Sequence, residues 1–244
     1  MFGLIGKKLG HSFSAFFFND KFKREGIDES YHLFPLKHIE DLPDLLAGHS
    51  DLKGLNVTIP YKQEVIRFLD SISDEAQKIG AVNVIKIEND NKGKKLCGFN
   101  TDYIGFEESL KPLLHQGVKK ALILGTGGAS KSVAYVLSKL NIEGKFVSRH
   151  PSDEELSYMD LDEKIIRENL LIVNTTPLGM YPNIEGCPDI PYKGITPEHI
   201  CYDLIYNPGE TLFMKKCKEQ GATVKNGMEM LEFQAKAAWH IWNE

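Results

Sequence analysis

Cysteine is scarce: four in 244 residues, at Cys97, Cys187, Cys201 and Cys217, with no C-x-x-C pair. That spacing excludes a zinc knuckle and a dithiol redox motif, and scattered thiols of this kind read as reduced cysteines in a cytoplasm. No apolar stretch is long enough to cross a bilayer. The opening MFGLIGKKLGHSF is not read as a signal peptide, because its apolar run is short and its lysines follow that run. There is no repeat and no low-complexity tract. Basic charge is not in excess: 29 Lys and Arg stand against 34 Asp and Glu, a net charge of −5. That balance argues against a nucleic-acid binder but leaves room for a locally positive pocket for a small anion. Neither His11 and Cys97 nor the eight histidines together show metal-ligand spacing, so no metal is expected.

What is present is an ordinary core-forming composition, with 42% hydrophobic and 26% charged residues, in a chain long enough for one large or two small domains. Short strand-like runs alternate with helical patterns. FGLIG (2–6), SYHLFPL (30–36), GLNVTI (54–59) and AVNVIKIE (81–88) read as strands, the last followed by a turn-rich NDNKGKK tip. SAFFFNDKFKREG (14–26) reads as a helix capped by Ser14 and stopped at Gly26, and KQEVIRFLD as a short helix. A second unit starts near TDYIGFEESL. It runs through KALILG, ASKSVAYVLSKL, GKFVSR, NLLIVNTT, HICYDLIY, ETLFMKKCKEQG and ATVKNG, an alternation that implies a parallel sheet covered on both faces. MEMLEFQAKAAWHIWNE closes the chain as an amphipathic helix expected to dock on a core.

Two stretches carry chemistry. In GLNVTIPYK, Leu55, Val57 and Ile59 alternate with Asn56, Thr58 and Pro60, so one face is apolar while the other carries an amide, a hydroxyl and, past the strand, Lys62. A solvated face would explain this; so would a polar site. In ALILGTGGASKSVAYVL a strand ends at Gly125, the turn is Gly125-Thr126-Gly127-Gly128, and a helix follows. Glycines let a pyrophosphate approach the backbone, and the free N–H groups at the helix start hold its charge. The sixth position of the fingerprint is Ser130 rather than Gly or Ala. The ribose reader belongs at the end of the next strand, where Ser148 and Arg149 stand instead of an acid, which favours NADP over NAD. Asp153, Glu154 and Glu155 follow closely.

Together the stretches GHSFS (10–14), KGLNVTIPYK (53–62), GAVNV (80–84), GFNTDYIG (98–105), LGTGGASKS (124–132), NTTPLGM (174–180), YDLIYNPGETLF (202–213) and NGMEMLEFQA (226–235) resemble the shikimate dehydrogenase family, in family order and over nearly the whole chain. The resemblance implies NADPH-dependent reversible reduction of 3-dehydroshikimate to shikimate, in aromatic amino-acid biosynthesis. It also implies an α/β fold of two domains, with a site in the cleft between them. Residues 1–102, joined by the terminal helix 228–244, would be the substrate-binding and catalytic domain. Residues 103–227 would be a Rossmann-type doubly wound parallel sheet binding NADP. The expected ligand is a small molecule, with no nucleic acid or membrane, in a monomer or homodimer.

Residue by residue, the resemblance makes Ser12 and Ser14 donors to the substrate carboxylate and Thr58 a third contact. Two apart, the serine hydroxyls would face the same way in extended chain. Asn56 and Asn83 are further substrate contacts, and Asn83, alone among apolar neighbours in AVNVI, would need a buried partner. Lys62 and Asp102 form the expected catalytic pair, Asp102 also contacting substrate, while Tyr206 and Gln234 match positions that close over it. Gly125, Thr126, Gly127, Gly128 and Ala129 would hold the pyrophosphate, Ser148 and Arg149 the 2′-phosphate, and Leu204 and Gly227 the nicotinamide end. The chain departs from the family pattern at Ala15, in place of a proline, at Phe18, in place of a frequent histidine, and at Val84, in place of a threonine. After Arg149 only His150 stands where a second basic residue is usual.

Rival readings are weaker. A serine hydrolase built on GHSFS lacks the nucleophile elbow: Ser14 sits where G-x-S-x-G needs its last glycine, and GKKLG separates strand from serine. A non-catalytic protein binding a cyclohexene acid would not need both Lys62 and Asp102. An NAD-using quinate or shikimate dehydrogenase stays open because of the acids after Arg149.

Overall fold

The computed structural model describes residues 1–10, 12–90 and 93–244. His11, weighed above as a metal ligand, and Asn91 and Lys92 of the turn-rich tip lie outside the described residues. The chain divides into two units, Met1–Thr101 with Gln234–Glu244, and Asp102–Phe233.

The first unit holds β1 (Phe2–Gly6), α1 (Phe13–Glu25), β2 (Tyr31–Pro35), α2 (Leu42–Gly48), β3 (Gly54–Val57), β4 (Ser71–Ile72), α3 (Asp74–Ile79), β5 (Val84–Asp90) and β6 (Gly93–Phe99). Its sheet has the order β2-β1-β3-β5-β6-β4. β1 runs parallel to β2 and β3, but β5 is antiparallel to both β3 and β6, so the sheet is mixed. The antiparallel β5–β6 pair extends beyond the tip where the sequence pattern stopped. Charged residues in Gly93–Phe99 had hidden the second strand. Alternation along each strand feeds two cores. Ile5, Leu55, Val57 and Ile85 pack with Leu42 and Val65 on one side. Phe2, Leu4 and Val84 pack with Phe18, Phe22 and Tyr31 on the other.

Two local readings change. Helix α1 is capped by Ser12, which is extended (φ −90°, ψ 123°), while Ser14 lies inside the first turn. The two serines are therefore not both on extended chain, and the argument that aligned their hydroxyls does not hold. KQEVIRFLD folds as a 3₁₀ turn over Glu64–Phe68, the tighter form common in such short pieces.

The second unit holds α4 (Asp102–Leu110), β7 (Lys120–Leu124), α5 (Gly128–Lys139), β8 (Glu143–Ser148), β9 (Leu156–Ser157), α6 (Glu163–Glu168), β10 (Leu171–Asn174), β11 (Ile200–Asp203), α7 (Leu212–Glu219) and β12 (Thr223–Lys225). All pairs are parallel, in the order β12-β11-β10-β7-β8-β9. Both faces are covered: Leu171 and Val173 of β10 enter one core, Ile172 the other. This is the doubly wound order, with its reversal between β7 and β10, and ligands bind outside the carboxyl ends of strands at such a reversal.

The last helix, α8 (Met228–Asn243), contributes to both units. Met230 packs in a core of the second. Ala235, Ala238 and Trp242 pack in the first, where Trp242 donates its Nε1–H to the Ile85 carbonyl at 3.0 Å. Each large side chain buried this way is worth roughly 1.5–3 kcal/mol, enough to hold Gln234, in the same stretch, in place.

Candidate functional site

In the first unit the polar side of β3 is not a solvated face. Asn56 is 5% exposed. Its Oδ1 accepts from the Tyr31 hydroxyl at 2.7 Å, and its Nδ2 donates to the Asn83 carbonyl at 3.3 Å. Ser14 is hydrogen-bonded to the same Tyr31 hydroxyl, whose pKa burial pushes well up, with the Ser14 bond opposing. Asn83 has the buried partners its setting demanded. Its Oδ1 accepts from the Thr101 N–H at 2.7 Å, and its Nδ2 donates to Thr101 Oγ1 at 3.0 Å and Gln234 Oε1 at 3.4 Å. Four expected substrate residues, Ser14, Asn56, Asn83 and Gln234, are thereby joined in one buried network of hydroxyls and amides. Such a network fixes the direction of each donor and acceptor because every member is satisfied by another.

Thr58 continues the strand pairing past β3, its N–H donating to the Ile5 carbonyl at 2.9 Å. Lys62 is half-buried. Its carbonyl accepts from the Val82 N–H at 2.7 Å, which pins its backbone one residue from Asn83. The preceding Tyr61 is buried and donates its hydroxyl to the Leu36 and Lys37 carbonyls at 2.8 and 3.0 Å. Ser12 keeps its capping position at the start of α1 and is half-buried.

In the second unit Asp102 is the first residue of α4 and is buried. A carboxylate is favoured there by the helix dipole. The glycine turn has the expected form. Gly125 has φ +104°, and a Cβ on it would stand 2.9 Å from Thr175 Oγ1 and 3.0 Å from Thr176 Cγ2. Only glycine fits. Gly127 caps α5, and a Cβ there would meet nothing within 4 Å, so the space over the turn is open. Thr126 and Gly127 are exposed, while Gly128 and Ala129 open a twelve-residue helix, whose first turn has N–H groups with no acceptor one helical turn back. Ser130 is buried and donates its hydroxyl to the Gly127 carbonyl at 2.6 Å, which accounts for a serine at the sixth position.

Ser148 ends β8, and Arg149 follows it, exposed. Burial raises the pKa of the neighbouring Tyr158 phenol, and the Arg149 charge opposes that rise. Leu204 follows β11, its N–H donating to the Asn174 carbonyl at 3.0 Å. Gly227 is more than a turn: a Cβ on it would overlap the Leu204 carbonyl, and its N–H donates to the Ile205 carbonyl at 3.0 Å. Tyr206 stands next in line, half-buried. These residues fit a bound dinucleotide in three respects: an open glycine cradle, a helix N-terminus directly after it for a pyrophosphate, and an arginine at the strand end for a 2′-phosphate.

Sequence reasoning passed over Tyr31, Thr101, Asn174 and Asp203. Asp203 and Asn174 carried the signal that singled out Asn83, a lone polar residue ending an apolar run, in HICYD and LLIVN. Tyr31 carried none, because a tyrosine in a strand is ordinary. Among the described residues, no three His, Cys, Asp or Glu side chains gather as metal ligands, and no helix is long and apolar enough to cross a membrane.

Residues 4–85 match the family described as the shikimate dehydrogenase substrate binding domain. The chain is 40% identical to the shikimate dehydrogenase (NADP(+)) of Methanococcus maripaludis over 98% of its own length and 90% of the relative's. It is 41% identical to that of Clostridium beijerinckii over 100% of its own length and 92% of the relative's. Among solved structures, the Thermus thermophilus shikimate 5-dehydrogenase in complex with NADP(H) and shikimate superimposes with a TM-score of 0.85 at 31% identity, covering 99% of this chain and 92% of that one.

Proposed function

The chain belongs to the shikimate dehydrogenase family, and we propose on that premise that it reduces 3-dehydroshikimate reversibly to shikimate with NADPH, in aromatic amino-acid biosynthesis. The observation that carries this beyond family membership is the buried neutral network Ser14–Tyr31–Asn56–Asn83–Thr101–Gln234. A ring bearing several hydroxyls needs donors and acceptors held in fixed directions, and this set holds them. In this reading residues 1–102 with helix 228–244 take the substrate, and residues 103–227 take the dinucleotide. Ser12, Ser14 and Thr58 bind its carboxylate. Asn56, Asn83 and Gln234 bind its hydroxyls, with Tyr206 closing over it.

The dinucleotide, when bound, supplies the hydride. The rest falls to the chain. Hydride arriving at a ketone carbon leaves charge on the oxygen, which must gain a proton as it forms. Lys62 is assigned that proton, because an ammonium in a half-buried setting can give it up in reduction and recover it in oxidation. Asp102 is assigned to orient the lysine and to accept from a substrate hydroxyl. Gly125 to Ala129 hold the pyrophosphate, Ser148 and Arg149 the 2′-phosphate, and Leu204 and Gly227 the nicotinamide end. The free thiols of Cys97, Cys187, Cys201 and Cys217 accord with a cytoplasmic enzyme, which we take to act as a monomer or homodimer without nucleic acid.

The deciding experiment is a steady-state assay at 340 nm pairing shikimate and quinate with NADP⁺ and NAD⁺. We expect shikimate with NADP⁺ to give the highest kcat/KM, and no turnover of shikimate with either dinucleotide would overturn the reading. The acids at 153–155 favour one second reading, an NAD-using quinate or shikimate dehydrogenase, and a preference for NAD⁺ in the same assay would establish it.

A further inference from the structure

At the end of β11 stands a carboxylate for which the proposed reaction has no use. Asp203 is fully buried, and its two oxygens accept three hydrogen bonds. Oδ1 accepts from Asn174 Nδ2 and from the Ile205 N–H, both at 3.0 Å, and Oδ2 accepts from the Thr211 hydroxyl at 2.6 Å. Burying a carboxylate is costly unless it is fully hydrogen-bonded, so a chain that places one here gains something from an acceptor-only group.

The three donors lead in two directions. Asn174 lies opposite Asp203 in the β10–β11 register. With its Nδ2 held, its Oδ1 is turned toward Thr176, whose N–H and hydroxyl it accepts at 3.0 and 2.7 Å. Thr176 stands, with Thr175, against Gly125, the first glycine of the turn. In the other direction, Ile205 is fixed by its N–H to Asp203 and by its carbonyl to the Gly227 N–H at 3.0 Å. Gly227 in turn packs on the Leu204 backbone. Thr211 closes the set: its hydroxyl, bonded to Asp203, also accepts from the Met214 N–H at the start of α7.

We propose that Asp203 is a positioning residue for the bound dinucleotide, setting through Asn174 and Thr176 the wall beside the glycine turn, and through Ile205 the Leu204–Gly227 wall. This rests on the dinucleotide reading above. One buried group thereby adds side-chain bonds to the backbone pairing of β10 and β11 and helps to fix the spacing of the two segments that leave those strands.

The test uses the full chain and three readouts: NADPH Kd by fluorescence titration, KM for shikimate at saturating NADP⁺, and Tm. Asp203→Ala removes both arms and should raise the NADPH Kd by about tenfold or more, the loss expected when buried bonds to a charged group are removed. Asp203→Asn keeps one oxygen for Asn174 and Ile205 and should recover binding to within about threefold of the parent. KM for shikimate should stay within about twofold in both, which a general loosening of the fold would not produce. A folded Asp203→Ala that binds NADPH as tightly as the parent overturns the proposal. So does an equal loss of NADPH and shikimate affinity, or an Asn variant no better than Ala. Should Asp203→Ala not fold, Thr176→Val removes the hydroxyl bond to Asn174 Oδ1, together with the Leu178 N–H bond to that hydroxyl, and keeps the Thr176 N–H bond; it should raise the NADPH Kd by a smaller factor, and an unchanged NADPH Kd in that variant overturns the glycine-turn arm of the proposal. If the parent chain binds neither NADPH nor NADH, the functional reading itself falls, and this inference with it.

Discussion

The two units hold their polar machinery by different means. In the first, hydroxyls and amides satisfy one another: Tyr31 to Asn56, Asn83 to Thr101, Gln234 to both. The one ionisable member, Tyr31, has its pKa pushed up by burial and stays neutral. In the second, a buried carboxylate is the hub. Burial raises the pKa of Asp203 to about 6, against the bonds from Thr211, Ile205 and Asn174. A neutral network suits a face that must present fixed directions to a polyol at any working pH. An ionised hub makes stronger bonds to its donors, but it makes the unit that carries it sensitive to acid and base.

The sharpest way to break this comparison is to remove the one cation assigned to chemistry. Lys62→Ala should lower kcat by about 10²–10⁴-fold, the usual contribution of a positioned proton donor, with the NADPH Kd unchanged. Unchanged kcat would take Lys62 out of the mechanism.

The pH dependence comes next. The folded-state pKa of Asp203 lies above the unfolded value near 3.9, so the folded state binds the proton more tightly. Its contribution to stability is therefore fully present below about pH 4 and is lost as pH rises through about 6, a change on the order of 3 kcal/mol. Of the titratable groups about it, the Cys217 thiol is held far above its usual range by its bond to Cys201 and by burial, and so adds no charge. Asp203→Asn cannot ionise, so the Tm difference, variant minus parent, should shift in the variant's favour between pH 4 and 7. A flat difference would remove the ionised hub. Tyr31→Phe, in the neutral network, should show no such slope.

A smaller effect is expected at Arg149. Arg149→Ala should raise the NADPH Kd by roughly tenfold, the range for a hydrogen bond to a charged group, and leave NADH binding nearly unchanged. Equal effects on the two dinucleotides would count against 2′-phosphate recognition. Smallest is Tyr31→Phe itself, which deletes one hydroxyl that Ser14 and Asn56 share. Losing a buried bond of about 1 kcal/mol should raise KM for shikimate roughly fivefold, with NADPH Kd unaffected; an unaltered KM would show that Ser14 and Asn56 keep their directions without it.

Much of the second unit was legible in the residues alone. The glycine turn could be read because its requirements are local: a positive φ at Gly125, open backbone at Gly127, a helix immediately after. The strand alternation of β7, β8 and β10 could be read for the same reason. In the first unit the reading was less secure. Ser14 was read as a cap and lies inside α1, whose cap is Ser12, because cap and first-turn serines differ only in backbone angles. Strand β6 was missed because its first half is charged, and pairing with β5 overrides that pattern.

The sequence by itself determined the segments that form β7, β8, β10, β11 and β12 of the second unit, though not the two-residue β9, where its chain turns on glycine, and that Asn83 needs a buried bond. Each follows from one residue's own geometry or from neighbours a few positions away. Only the tertiary structure decided that Ser14 and Asn56 share the Tyr31 hydroxyl, that Thr101 meets Gln234 across 133 positions of chain, that Gly227 is glycine because the Leu204 backbone lies against it, and that Asp203 is a hub. A hydrogen bond or a close approach between residues far apart along the chain leaves no periodic trace in either of them, and exists only once both cores have packed.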